Sequence, residues 1–299
     1  MDQATQLRNI IKNQAPAARP TARVITVTSG KGGVGKSSLS VNLAIQLRKM
    51  GQRVVIMDAD FGLANVEVML GIRPKYNLAD LIFRGKELNE IITSGPEGIG
   101  FISGGSGIQE LTKLTKDQIM YLTRSLCELD EYVDVIIIDT GAGIADSVLE
   151  FVAASSEVLL VVTPEPTSIT DAYALLKTLD KKADFLADNT VIKMVSNRVG
   201  TLQEGRELFD KLSVVVNKFL NIKLDFLGAI PQDASLSKAV IQQKPVMIGY
   251  PNSQAARSIY ELAVMLNDNT VVEQRDKKGI TVLFSNLIRA KFANKNRGD

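Results

Sequence analysis

A glycine-rich loop at residues 30–37 constrains this chain more than any other segment, because it defines both a local fold and a class of ligand. The loop reads Gly-Lys-Gly-Gly-Val-Gly-Lys-Ser and fits the pattern G-x-x-x-x-G-K-[ST]. An apolar, β-forming run at residues 24–28 precedes it, and Leu39, Leu43 and Leu47 recur after it at helical spacing. In this strand–loop–helix context the pattern predicts a phosphate-binding loop, whose backbone N–H groups surround phosphate oxygens at a helix N-terminus.

Individual residues of this loop have distinct predicted roles. Lys36 is expected to reach the β- and γ-phosphates of a nucleotide, and the Ser37 hydroxyl is expected to ligate Mg²⁺. The predicted nucleotide contacts in this region are Gly30, Lys31, Gly32, Gly33, Val34, Gly35, Lys36, Ser37 and Ser38.

Lys31 is a second lysine that an ordinary phosphate loop does not require. With it, the loop resembles the deviant phosphate loop, K-G-G-x-G-K-[ST], of the MinD/ParA class of ATPases. The resemblance implies ATP and Mg²⁺ as cofactors, and slow hydrolysis by a homodimer that forms with ATP. It also implies that Lys31 crosses the dimer interface and touches the nucleotide of the other subunit.

Aspartates follow two further apolar runs, at the ends of predicted strands, where open parallel sheets bind ligands. Asp139 follows the run 135–138 in the manner of a Walker-B aspartate, which holds Mg²⁺ through water. Gly143 would let the next loop move against a γ-phosphate.

By resemblance to MinD, Asp60 polarises the attacking water and Asp58 belongs to a switch or to the Mg²⁺ shell. Asp58 and Asp60 could instead be solvated carboxylates at a strand end. The predicted catalytic residues are Lys31, Lys36 and Asp60, and the predicted metal residues are Ser37 and, through water, Asp139.

The base-binding end is predicted from two other strand ends. By resemblance to the family, Asn197 and the loop Pro231-Gln232-Asp233 frame the adenine. The segment 163–165 ends another predicted strand and is expected to line the dimer face. An asparagine amide can both donate to and accept from a base edge. The alternative is ordinary turn chemistry, in which Asn, Pro and Asp are common.

Composition excludes several other chemistries. The chain of 299 residues has no histidine and one cysteine, Cys127, which excludes His-ligated zinc, His-dependent nucleophilic catalysis, an intramolecular disulfide and a Cys-rich metal site. Chemistry that depends on Asp, Glu, Lys and bound metal suits phosphoryl transfer. A net charge of +2 does not indicate a polyanion-binding protein, so nucleic acid is not expected as a partner.

Alternating apolar runs and helical patterns predict an α/β fold, with a largely parallel sheet and helices on both faces, as in P-loop NTPases of the MinD/ParA type. The predicted strands are 24–28, 53–58, 100–103, 133–139, 157–163, 190–196 and 224–230. Helices are predicted to fill the gaps, including 116–128, 168–183, 202–219 and 253–266. We divide the chain into an N-terminal segment (1–13), a linker (14–21), an ATPase domain (22–272), and a hinge with a C-terminal tail (273–299).

The tail carries an apolar stripe at helical spacing, formed by Ile280, Leu283, Phe284, Leu287 and Ile288. Lysines and arginines surround this stripe, a pattern typical of an amphipathic helix that binds anionic membranes. It resembles the membrane-targeting tail of MinD, although a helix packed on its own domain would show the same stripe. The N-terminus is polar and no run reaches the roughly 18 apolar residues of a membrane span. We therefore expect a cytoplasmic protein that is reversibly peripheral at the inner face of the cell membrane.

The N-terminal string D-Q-A-x-x-L-R, residues 2–8, is the most discriminating flanking feature. It resembles the N-terminal motif of the FlhG family of MinD-like ATPases, which control flagellar number and placement. That resemblance implies a partner-binding role for Asp2, Gln3, Leu7 and Arg8, with the SRP-type GTPase FlhF as the activated partner. Flagellar C-ring proteins are the other implied partners.

Other functions share the same nucleotide site. A ParA-type partition ATPase would bind DNA through a basic patch on the dimer, and a MinD-type protein would regulate the division site. A redox member of the superclass needs paired cysteines, which one Cys127 could supply only together with its copy across a dimer.

Overall fold

An eight-stranded sheet forms the centre of the protein, in the strand order β3-β4-β2-β5-β1-β6-β7-β8. The computed structural model describes residues 21–60, 65–105, 116–182, 185, 187, 190–272, 280 and 283. Among these, the strands are β1 Arg23–Ser29, β2 Val54–Ala59, β3 Thr93–Ser94, β4 Gly100–Ile102, β5 Val135–Ala142, β6 Glu157–Val162, β7 Val191–Val199 and β8 Leu224–Pro231. Only the edge strand β3 is antiparallel to its neighbour. The predicted fold class is confirmed.

Helices connect the strands and cover both faces of the sheet. They are α1 Lys36–Lys49, α2 Asn65–Leu70, α3 Leu78–Phe83, α4 Leu88–Ile91, α5 Lys116–Cys127, α6 Leu129–Tyr132, α7 Asp146–Ala154, α8 Pro166–Asp180, α9 Leu202–Phe219, α10 Ala234–Ile241, α11 Val246–Gly249 and α12 Gln254–Val272, with a 3₁₀ turn at Pro96–Gly98. Helices α1 and α12 pack on one face and α5, α7 and α8 on the other.

Continuous apolar strands follow from this burial on both faces. Along β5, for example, Ile137 belongs to the core beneath α1, whereas Ile136 and Ile138 belong to the core beneath α5. A two-residue strand such as β3 carries no periodic signal and was not predicted. The predicted strand 133–139 was wrong at both ends, because β5 begins at Val135 and continues to Ala142. Asp139 therefore lies within the strand rather than at its end.

Two residues of the predicted tail are described, and both lie in the protein core. Ile280 and Leu283 are 0% and 2% exposed and belong to the same cluster as Val24, Leu126 and Ile136. The other predicted residues of the two termini lie outside the described residues: Phe284, Leu287, Ile288, the hinge 273–278, Asp2, Gln3, Leu7 and Arg8. In the described part of the chain, no helix has the length and apolar character needed to cross a membrane.

Candidate nucleotide site

The glycine-rich loop turns from β1 into α1 with backbone conformations that glycine favours. Gly33 and Gly35 have φ angles of +76° and +98°. A Cβ atom on Gly35 would also lie 2.3 Å from the amide nitrogen of Asn197. Gly35 therefore permits both the left-handed turn and the close approach of Asn197.

Lys36 is buried at the start of α1 and faces two aspartates. Burial lowers the pKa of its ammonium group, while Asp139 and Asp60 oppose that shift. Residues Asp58 and Asp139 are register partners on adjacent strands β2 and β5, which brings the two acidic motifs to one edge of the sheet. The structure thus brings Lys36, Asp60 and Asp139 from three separate segments into one electrostatic group, and their catalytic and metal-binding roles stay predictions.

Asp139 is completely buried and offers one carboxylate oxygen for a further ligand. Its Oδ1 accepts a hydrogen bond of 2.8 Å from the Ser40 hydroxyl, whereas its Oδ2 is buried without a hydrogen-bond partner. Burial raises the pKa of Asp139 to about 6, against the effects of the Ser37 and Ser40 hydroxyls and of Lys36. A buried oxygen without a partner, close to the Ser37 hydroxyl, fits Mg²⁺, which prefers oxygen ligands and retains water.

Asp58 is also buried, and it does not line the cavity that the phosphate loop forms with the predicted base-binding loops. Its Oδ1 accepts a hydrogen bond of 2.9 Å from the backbone N–H of Asp60. Burial raises the pKa of Asp58 to about 8, and the negative charges of Asp139, Asp60 and Glu67 add to this rise. At neutral pH in the ligand-free protein its carboxyl is therefore mostly protonated, and its role in a switch or in the Mg²⁺ shell stays a prediction.

This raised pKa predicts a pH-dependent stability for the ligand-free protein. Because the folded-state pKa of Asp58 lies above its unfolded value, its contribution is complete below the unfolded pKa and is lost as the pH rises to about 8. The free energy of unfolding should fall by about 2 kcal/mol between pH 6 and pH 8. Urea titrations at several pH values measure this slope. Asp58→Asn keeps the acceptor for Asp60 and should remove the slope, and an unchanged slope in this variant would contradict the assignment.

The phosphate loop and the predicted base-binding loops enclose one cavity of about 490 Å³. Sequence-predicted residues that line it are Gly32, Gly33, Gly35, Lys36, Ser37, Ser38, Asp60, Asn197, Pro231, Gln232 and Asp233. Gly143, in contrast, does not line the cavity. Its backbone N–H donates to the Ser29 carbonyl at 2.9 Å, which fixes the loop after β5 to the end of β1. A wider concave surface of about 860 Å³ lies at the amino ends of β2 and β4, away from these residues.

The side chains of Asn197 and Asp233 make structural hydrogen bonds at this cavity. The Asn197 amide donates to the Val34 carbonyl at 2.7 Å and thereby holds the phosphate loop. The Asp233 carboxylate accepts from the backbone N–H groups of Ser235 and Ala255, at 2.7 and 3.0 Å, and so joins the starts of α10 and α12. The turn chemistry considered for these positions is therefore present, and base recognition by them stays a prediction.

Lys31 does not line the cavity. Its ammonium nitrogen lies 2.7 Å from a carboxylate oxygen of Glu165 and 2.7 Å from the hydroxyl of Thr167. Thr167 was not predicted, because no local pattern links it to a loop 136 residues earlier.

Other residues of the site were also missed by sequence reasoning. They are Asn65, Met69, Ala142, Arg198, Leu236, Ser237 and Val240, which line the cavity, and Ser40, which binds Asp139. Only Ser40 had a usable signal, since it follows Lys36 by one helical turn and its hydroxyl reaches the Lys36 carbonyl at 3.1 Å. Of the apolar residues, Met69 comes from α2, Ala142 from the end of β5, and Leu236 and Val240 from α10, and the positions of these elements beside the loop depend on the tertiary fold.

A strand–loop–helix with a buried loop lysine, facing two aspartates at the carboxyl ends of a parallel sheet, defines a P-loop nucleoside triphosphatase. A family model described as "ParA: NUBPL iron-transfer P-loop NTPase" matches residues 21–267. The chain belongs to this MinD/ParA family, which confirms the resemblance seen in its phosphate loop. Membership implies ATPase activity, and proteins of the family bind nucleotide with Mg²⁺.

Two similar proteins place the chain more closely within this family. The Antiactivator FleN of Pseudomonas aeruginosa is 45% identical over 241 residues, which cover 81% of this chain and 85% of that protein. The Flagellum site-determining protein YlxH of Helicobacter pylori is 33% identical, over 96% of this chain and 98% of that protein. The predicted membership of this branch of the family is therefore confirmed.

Solved structures of MinD proteins share the fold. The MinC:MinD cell division protein complex of Aquifex aeolicus contains a chain that is 25% identical, with a TM-score of 0.64 over 83% of this chain and 96% of that chain. The septum site-determining protein MinD of Pyrococcus horikoshii, complexed with Mg-ADP, is 22% identical, with a TM-score of 0.64 over 85% of this chain and 100% of that chain.

Proposed function

We propose that this protein is an ATP-switched ATPase that dimerises, associates with the membrane, and regulates the number or placement of flagella and the assembly of the basal body. The carrying observation is that Lys36 and Asp60 line one cavity and that the buried Asp139 acts on the charge of Lys36, while Lys31 does not line this cavity and pairs with Glu165. The similar proteins FleN and YlxH support the flagellar assignment.

The residues around the cavity can carry out ATP hydrolysis by positioning and charge compensation. Water attacks the γ-phosphorus in line with the bond to the β–γ bridging oxygen, which breaks to give ADP and phosphate. Asp60 orients this water and accepts its proton, while Lys36 stabilises negative charge on the β- and γ-phosphates. Ser37 and, through water, Asp139 would hold Mg²⁺, which would neutralise phosphate charge when bound.

The proposed active form is a homodimer that encloses ATP. Lys31 does not line the cavity of its own chain and would contact the nucleotide of the other subunit, so the site of a monomer would lack this positive charge. Slow hydrolysis would then return the protein to monomers, and ATP would act as a timer.

In the proposed membrane switch, the tail must leave the domain on which two of its apolar residues pack. Ile280 and Leu283 lie in the core, and burial of an aliphatic side chain stabilises by about 1.5–3 kcal/mol. Release of the tail therefore needs a compensating interaction, which anionic lipid would supply by burying the apolar stripe and attracting the surrounding lysines and arginines. In a dimer two tails would bind one surface, which strengthens the association.

The N-terminal segment 1–13 is proposed to bind and activate a partner GTPase of the SRP type, FlhF. Flagellar C-ring proteins are the other proposed partners. The division into this segment, a linker, the ATPase domain and the tail is part of the proposal.

Stimulated GTP hydrolysis tests this flagellar assignment. The full chain should raise the GTPase rate of an FlhF-like partner, and a chain that lacks residues 1–13 should not, with its own ATPase rate unchanged. Leu7→Ala with Arg8→Ala should reproduce the loss, and Asn13→Ala serves as the matched control. Equal stimulation by the full and shortened chains would contradict the partner assignment.

A further inference from the structure

Two residues at the start of α8 hold the ammonium group of Lys31. Glu165 pairs with it at 2.7 Å and the Thr167 hydroxyl lies at 2.7 Å. We propose that Glu165 and Thr167 are positioning residues for Lys31, which keep its ammonium group out of the chain's own cavity and present it to a second copy of the chain. This inference rests on the proposed ATP-driven dimer and assigns the residues that prepare it.

The backbone on both sides of this contact is fixed. Gly30 packs against α8 so closely that a Cβ atom there would lie 2.2 Å from the backbone of Asp171. The Ser29 hydroxyl donates to the Lys31 carbonyl at 2.7 Å. The start of the phosphate loop is therefore held on α8, and Lys31 begins its course a fixed distance from the N-terminus of that helix.

Glu165 and Thr167, which accept from Lys31, also lie on backbone that hydrogen bonds hold in place. Glu165 is the residue before α8, and its carbonyl accepts from the N–H groups of Ser168 and Ile169 at 2.9 and 3.2 Å. The Ser168 hydroxyl in turn accepts from the Thr163 N–H at 3.0 Å. Glu165 and Thr167 thus project from a rigid helix start, which gives Lys31 a defined direction.

A lysine ammonium group has three N–H donors. Glu165 and Thr167 accept two of these, so the third can be donated to a phosphate oxygen. The side chains of Lys31 and Glu165 are 34% and 53% exposed, so this contact lies at the surface where another protein can reach it. Without these acceptors, the flexible side chain of a lysine in a glycine-rich loop would be free to turn toward its own phosphates.

The local charges favour this arrangement. The hydrogen bond and charge of Lys31 lower the pKa of Glu165, and the positive charge of Arg198 lowers it further. Glu165 is therefore a carboxylate at neutral pH, paired with Lys31 and also influenced by Arg198 of the cavity wall.

Dimerisation measured by analytical ultracentrifugation, in ATP and in the Asp60→Ala background that blocks hydrolysis, tests the proposal. Glu165→Gln combined with Thr167→Val should weaken the dimer about 5- to 10-fold, as expected for the loss of an exposed ion pair and one hydrogen bond. ATP affinity of the monomer should stay within about twofold, since neither residue lines the cavity. Glu165→Asp should restore part of the effect.

A second readout separates positioning from other roles. The rate of amine acylation at Lys31, followed by mass spectrometry in ADP, should rise in the double variant, with exposed Lys218 as the internal reference. Thr170→Val is the matched control, because the Thr170 hydroxyl bonds only carbonyls of its own helix among the contacts described. It should change neither dimerisation nor labelling.

Three results would overturn the proposal: an unchanged dimer, a tighter dimer, or a weaker dimer with unchanged Lys31 labelling. The last result would mean that Glu165 acts on the other subunit directly. If the Asp60→Ala parent does not dimerise in ATP, the proposed function fails instead, and Lys31 labelling in the monomer still tests the positioning role.

Discussion

Replacement of Asp60 by alanine is expected to slow ATP hydrolysis about 100-fold or more, while ATP still binds. Asp60 lines the cavity. Its Oδ1 is 3.6 Å from the position that a Cβ atom would take on Gly141, near the end of β5. Loss of its carboxylate removes the group that orients the attacking water, whereas Lys36 and the phosphate loop remain. Steady-state phosphate release and equilibrium binding of a fluorescent ATP analogue measure the two effects separately.

The same variant should accumulate as an ATP-bound dimer, because hydrolysis is the step that returns it to monomers. Asp210→Ala, which removes an exposed carboxylate paired with Arg206 on α9, is the matched control and should hydrolyse ATP at the parent rate. An Asp60→Ala protein that remains monomeric in ATP, or that hydrolyses ATP normally, would refute the role given to Asp60.

Replacement of Glu157 by alanine is expected to destabilise the protein by about 3–5 kcal/mol, the cost of leaving buried charges without their partner. Glu157 accepts two hydrogen bonds from the Arg23 guanidinium, each of 2.7 Å, and lies 3.1 Å from the Lys193 ammonium. All three side chains are buried, at the amino ends of β1, β6 and β7. Arg23 also donates to the Leu266 carbonyl at 2.9 Å, so the network ties α12 to the sheet.

Urea unfolding at neutral pH measures this loss. Burial would raise the pKa of Glu157, but the hydrogen bonds and charges of Arg23 and Lys193 hold it below its usual range, so the network is intact at neutral pH. Asp210→Ala should cost no more than about 0.5 kcal/mol, as an exposed i,i+4 pair does. Replacing Arg23, Glu157 and Lys193 together by Met, Leu and Met should recover most of the stability. A loss below about 1 kcal/mol in Glu157→Ala would show that the network contributes little.

Features that depend on neighbouring residues could be predicted from the sequence. The helix 202–219 was predicted with both ends correct, because the apolar positions Leu208, Leu212 and Val216 recur at helical spacing and face the core. Thr201 caps this helix by accepting from the Glu204 N–H at 3.1 Å. The phosphate loop was predicted for the same reason, since strand, glycines, lysine and helix follow one another directly.

Features that join distant segments could not be predicted in this way. The sequence shows Lys31, but not that Glu165 and Thr167, more than 130 residues later, hold its ammonium group. Nor does it show that Arg23 and Glu157, which begin two different strands, form a buried ion pair. The apolar stripe of the tail was visible, but the burial of Ile280 and Leu283 depends on a cluster contributed by several helices and strands.

Nucleotide-gated membrane binding tests the central claim most directly. Co-sedimentation with vesicles of phosphatidylglycerol and phosphatidylcholine would be measured for the full chain in ATP, in ADP and without nucleotide. The comparison chains are one that ends at residue 276 and a full-length Lys31→Ala variant, which keeps the tail but should not dimerise.

Binding in ATP alone, lost in both comparison chains, is the result this account predicts. Binding that is equal in every nucleotide state would contradict a switch, and absence of binding in all states would leave the tail as a structural part of the domain. If the ATP form binds DNA in a salt-dependent manner and does not bind vesicles, the protein is a DNA-coating ATPase and the proposed function is wrong.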